Sequence, residues 1–195
     1  VESFDMLNFN MAAAPGRTYR FFSGEPLWPF GFGLSYSSFT LSSSASTTSV
    51  SPTTQPLRLC AGCNATETET AATAAAEQKI DIVVKNVGKL AGDEVVMAFM
   101  QPHSGTLPAT APANHLVKQL FDFQRVSLTA GASATLTFTV SASDLQLFDA
   151  EGNAVNYPGL YDLYFTNGVN ATVTVPFNLT TVNAEPHHVE PFNPY

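Results

Sequence analysis

The strongest constraint in this sequence is a two-residue alternation that sets in at Lys79 and recurs to residue 179. Ile80, Ile82 and Val84 alternate with Asp81, Val83 and Lys85, and Leu136, Phe138 and Val140 with Thr135, Thr137 and Thr139. Val173, Val175, Phe177 and Leu179 alternate with Thr172, Thr174, Pro176 and Asn178. A strand sends successive side chains to opposite faces, so each run predicts one apolar and one wet face. Residues 95–100 are apolar on both faces, which predicts a central strand. Pro176 has no N–H to donate, which places the last strand at a sheet edge or bulge.

Turn chemistry separates the runs: Asn86-Val87-Gly88, Ala91-Gly92-Asp93, and Asn167-Gly168, the last a hairpin signal between strands 160–166 and 171–179. With 38–42 and 117–126 added, about seven strands are predicted, and the sequence has no long amphipathic helix between them. The expected fold is all-β: an antiparallel two-sheet sandwich of the immunoglobulin or fibronectin type III kind over residues 37–182. Leu136, Phe138, Val140, Val173, Val175 and Phe177 are expected to face inward, because a one-residue slip would turn all of them outward.

Three stretches lie outside that pattern. Residues 1–36 are rich in aromatics, Gly and Pro, and the first 40 positions hold ten of the 22 Phe, Tyr and Trp residues. Phe21, Phe22, Trp28, Phe30, Phe32 and Tyr36 crowd together without strand alternation and are expected to pack against another domain, since left open they would form an apolar patch. On that reading, 1–195 alone is expected to aggregate and 37–195 to behave better. Residues 42–77 are read as a surface insertion, with ten Ser or Thr in its first fifteen positions. Residues 183–195 are read as a tail.

The composition narrows the partners. Eight Lys and Arg against sixteen Asp and Glu give a net charge of −8. So few scattered cations argue against binding nucleic acid or anionic membranes, and the sequence has no apolar run near the ~20 residues of a membrane helix. Three sequons, at Asn64, Asn170 and Asn178, point to a secreted glycoprotein. Asn178 falls on the wet face of its strand, which favours it as the glycan carrier. Cys60 and Cys63 are spaced C-x-x-C in the Ser/Thr/Ala-rich insertion. A redox pair needs a strand-to-helix setting and zinc needs two further ligands. A local disulfide is the expectation, in keeping with an oxidising compartment.

Catalysis requires particular side chains at particular separations. A glycosidase needs two carboxyl groups roughly 5–9 Å apart. Asp93 and Glu94, as strand neighbours, should point apart, and Asp149 to Asn153 reads as a polar turn. The sequence has no Gly-x-Ser-x-Gly elbow, P-loop or dinucleotide fingerprint. On these residues no catalytic residue, metal or cofactor is expected in this chain.

Pro15-Gly16-Arg17-Thr18-Tyr19-Arg20-Phe21-Phe22, followed by Pro29-Phe30-Gly31-Phe32-Gly33-Leu34-Ser35-Tyr36, resembles a hallmark of glycoside hydrolase family 3. Val84 to Gly88, Ala91 to Val96, Lys118 to Val126 and Tyr157 to Tyr161 are similar to further landmarks in the family's order. The resemblance implies that 1–36 closes an α/β sandwich domain and that a fibronectin type III-like domain follows. It implies a retaining exo-glycosidase whose Asp nucleophile and Glu acid/base lie upstream, with β-linked xylosides or glucosides as substrates and those catalytic domains as partners. The Pro-Gly-Arg-Thr-Tyr-Arg form is closer to the β-xylosidase and arabinofuranosidase branch. The alternative expectation is a stand-alone sugar-binding or adhesion module that stacks Trp28 on a sugar ring.

Overall fold

The computed structural model describes residues 7–43, 78–103, 105–108, 111, 116–149 and 151–179. Cys60, Cys63, Asn64, most of the insertion and the C-terminal tail lie outside the described residues.

Seven strands build two sheets. One holds β1 (Phe39–Ser43), β2 (Gln78–Asn86) and β5 (Ser133–Val140), in the order β1-β2-β5. The other holds β3 (Gly92–Pro102), β4 (Gln119–Leu128), β8 (Gly159–Thr166) and β9 (Thr172–Leu179), in the order β4-β3-β8-β9. Between β5 and β8 lie a 3-10 turn (Ala142–Leu145) and a small ladder of β6 (Leu147–Phe148) with β7 (Ala154–Val155). Every pairing is antiparallel.

The alternation determines the faces as expected. Ile80, Ile82, Val84, Phe138, Val140, Val175, Phe177 and Leu179 are buried in one core, with Leu136 and Val173 partly buried against it. Each large side chain so buried contributes roughly 1.5–3 kcal/mol. β3 is an inner strand, flanked by β4 and β8. Its Val96, Ala98 and Met100 enter the core between the sheets, whereas Met97 and Phe99 belong to the opposite, outer face yet are also buried. β9 is the edge strand, where the missing N–H of Pro176 breaks no inner ladder.

The turn residues have specific structural work. The Asn86 side chain is fully buried, donates to the carbonyls of Leu90 (2.8 Å) and Leu128 (3.1 Å), and accepts from Ser37 Oγ (2.7 Å) and Gly88 N (2.9 Å). It ties the start of β1, the β2–β3 turn and the end of β4 together. Gly88 is required beside it, because a Cβ there would collide with Ser37. Tyr161, near the start of β8, donates its buried hydroxyl to the Tyr157 carbonyl at 2.7 Å, the corner seen in immunoglobulin-like sandwiches.

The Asn167-Gly168 hairpin differs from a two-residue turn: Thr166 pairs with Thr172, leaving a five-residue loop, 167–171. Asn167 organises it. Its Oδ1 accepts from the N–H groups of Val169, Asn170 and Ala171 at 3.0–3.2 Å, and its Nδ2 donates to Glu94 Oε2 at 3.1 Å. An Asx side chain that satisfies three loop donors stabilises a longer loop than dipeptide statistics suggest.

Candidate functional site

Residues 17–36 run over the outer face of the four-stranded sheet rather than away from it. Three hydrogen bonds explain this path. Val117 N donates to the Arg20 carbonyl at 2.6 Å, Leu120 N to Tyr19 Oη at 3.4 Å, and Arg20 Nη2 to Gln119 Oε1 at 2.7 Å. Apolar contact follows: Tyr19 stacks on Phe30 with centroids 4.4 Å apart, and both meet Phe99 edge-on at 5.8 and 6.3 Å. Lys118 Nζ lies 4.6 Å from the Phe99 ring centre and 5.5 Å from that of Tyr164, cation–π distances that help close the cluster. Gly31 approaches Met97 so closely that a Cβ would overlap its side chain.

The six aromatic residues expected to meet another domain divide in two. Phe21, Phe22 and Phe32 are half-buried within this chain. Trp28 is 65% exposed, Phe30 46% and Tyr36 97%, with Leu27 and Leu34 exposed beside them in sequence. Trp28 leans on Phe32, centroids 4.6 Å apart, so one face of its indole is supported from below. Tyr19 and Phe99, absent from that set of six, anchor the segment. Their signal was available in part: residues 95–100 read as apolar on both faces, and the outer face required a cover.

Beside this ledge lies a groove of about 550 Å³, between residues 31–39 and the outer ends of β3, β4 and the β8–β9 loop. Its polar lining includes Asp93, Glu94, Arg125, Asn167 and Asn170. Asp93 accepts from Ser127 Oγ at 2.6 Å and Arg125 Nε at 3.1 Å, which together hold its carboxyl below the usual carboxylate range. Glu94 accepts from Asn167 instead, so the two neighbouring acids serve different partners. A carboxylate held ionised is a poor proton donor, so Asp93 does not match the raised acid that glycosidic bond cleavage needs. Asp149 is likewise held low by Asn153 Nδ2 and by N–H groups of its own turn, the polar turn expected from sequence. Among the described residues there is no cluster of three or more His, Cys, Asp or Glu that could hold a metal. No described helix is long and apolar enough to cross a membrane.

Of the sequons, the structure places Asn170 exposed in the β8–β9 loop and Asn178 half-buried on β9. Arg20 Nε is buried without an acceptor among the described residues, at the seam between the N-terminal segment and β4.

Comparison with known proteins agrees with this architecture. Residues 94–168 match the fibronectin type III-like domain family. The chain is 32% identical to an exo-1,4-beta-xylosidase of Aspergillus oryzae over 92% of its own length and 22% of that protein's. It is 38% identical to a beta-glucosidase of Pyricularia oryzae over 62% of its length and 15% of that protein's. A beta-glucosidase of Listeria innocua solved with glucose shares the fold, with a TM-score of 0.58 at 24% identity over 81% of this chain and 18% of that one. The chain therefore spans about a fifth of the length of the first of these relatives.

Proposed function

The chain belongs to glycoside hydrolase family 3, and from that membership we propose that it is the structural portion of a secreted retaining exo-glycosidase that removes β-linked xylosyl or glucosyl units. In this reading the sandwich buttresses the catalytic domains and contributes neither nucleophile nor acid/base. The observation that carries it is the arrangement of residues 17–36. Their inner side is fixed to the sandwich through Tyr19, Arg20 and Phe30, while Leu27, Trp28, Leu34 and Tyr36 remain exposed. A segment anchored on one side and apolar on the other has the character of an interface layer. The similarity to xylosidases over most of the chain supports a xyloside as substrate.

The test is turnover of aryl β-xyloside and aryl β-glucoside by purified 1–195 and by the full-length enzyme. The chain alone should be inactive and the full-length enzyme active, with the xyloside preferred. Robust turnover by 1–195, abolished by one carboxylate substitution within it, would refute the reading.

One observation favours a second reading: the Trp28 indole is exposed and supported on Phe32, as a sugar-stacking platform would be. Binding of xylo-oligosaccharides by the chain alone, lost in Trp28→Ala, would favour that module instead.

A further inference from the structure

We propose that Asn170, rather than Asn178, is the principal N-glycosylation site of the described residues, and that the β8–β9 loop therefore faces solvent in the assembled enzyme. The inference rests on the secretory part of the proposed function.

Both residues begin an Asn-x-Thr triplet, so sequence alone does not separate them. Their surroundings do. Asn170 is exposed in the five-residue loop 167–171, and its own N–H is held by Asn167 Oδ1. The loop is anchored by Asn167, which lies outside the triplet and is itself buried. A glycan on Asn170 thus displaces none of the side-chain contacts that hold the loop.

Asn178 is half-buried within β9, paired with Leu160 and followed by the buried Leu179. A bulky glycan there would project from a paired strand, next to the β8 register that Tyr161 fixes. The alternation that puts Asn178 on the wet face is real, but wet by periodicity differs from open in space.

The chemistry is a group transfer. The Asn170 Nδ2 attacks the anomeric carbon of a lipid diphosphate-linked oligosaccharide and loses one proton. A C–N bond forms, the anomeric C–O bond breaks, and the lipid diphosphate leaves. Asn170 also lines the rim of the groove beside Asp93 and Arg125. A glycan at that rim requires open space, so the end of the groove at the β8–β9 loop stays uncovered by the catalytic domains.

The test uses the full-length enzyme made by its own secretory host. Release by a peptide N-glycosidase in ¹⁸O-water hydrolyses the Asn side-chain amide and converts each glycosylated Asn to labelled Asp, and peptide mapping then reads the site. Label on the Asn170 peptide is expected, with Asn170→Gln shifting the intact mass by one glycan and Asn178→Gln leaving it unchanged. Label at Asn178 but not Asn170 overturns the site choice while sustaining secretion. Absence of label at Asn170 in enzyme recovered from the medium overturns the proposal alone. The same absence in enzyme recovered only inside cells overturns it together with the secretory reading.

Discussion

At the scale of single residues, the polar groups inside this sandwich matter more than their number suggests. Asn86 bonds two carbonyls, a hydroxyl and an N–H from different segments, and an apolar residue of similar size in its place would lose all four bonds. Tyr161 permits a cleaner test. Its hydroxyl is buried and bonded to the Tyr157 carbonyl, so Tyr161→Phe should cost about 1–3 kcal/mol in chemical denaturation. Burial also pushes its phenol pKa well above the ordinary value of 10.0. The folded state then keeps a proton that the unfolded chain gives up, so this contribution is complete below about pH 10 and falls as pH rises beyond it, by ~1.4 kcal/mol per pH unit. The difference in stability between wild type and Tyr161→Phe should therefore shrink above pH 10. A constant difference from pH 8 to 11 would refute the assignment.

At the scale of elements, the N-terminal segment alters what the sandwich can tolerate. Sequence patterning suggested that removing residues 1–36 would leave a better-behaved domain. The packing argues for the opposite outcome, because Phe99 is fully buried on the outer face by Tyr19, Phe30, Tyr164 and Lys118. Truncation to 37–195 would uncover Phe99 and Met97 and trade one apolar patch for another in the middle of a sheet. The shorter piece should bind a hydrophobic dye more strongly and melt lower than 1–195. If 37–195 proves monodisperse with an unchanged melting temperature, the packing of this segment does not hold the sheet. The outer cover was only half legible in the sequence. Residues 95–100 announced two apolar faces, but nothing local said that Tyr19 and Phe30 would supply the second layer.

At the scale of the whole molecule, the exposed side of that cover should bear on the rest of the enzyme. Leu34 is 93% exposed and Tyr36 97%, so charge placed there costs this chain little by itself. Leu34→Asp and Tyr36→Asp should leave the melting of 1–195 within about 0.5 kcal/mol of wild type. In the full-length enzyme the same variants should shorten the half-life of activity at elevated temperature several-fold, because each would bury an unpaired carboxylate at an apolar seam. Equal half-lives would place the interface elsewhere on the sandwich.

The sequence by itself determined the strand faces, the central place of β3, the edge place of β9 and the polar turns at Asn86 and Asp149. Each follows from a local rule: the period of two, the missing N–H of proline, or the affinity of Asn and Asp for nearby backbone donors. The family landmarks were legible for the same reason, since they are these turns and anchors spelled out in order. Only the tertiary structure decided which aromatic residues lie against the sheet and which stay open, that Asn167 stretches its hairpin to five residues, and that Asn170 rather than Asn178 stands in open space. Those outcomes depend on residues far apart in the chain, Tyr19 with Phe99, Glu94 with Asn167 and Asn178 with Leu160, and no local period encodes such a meeting.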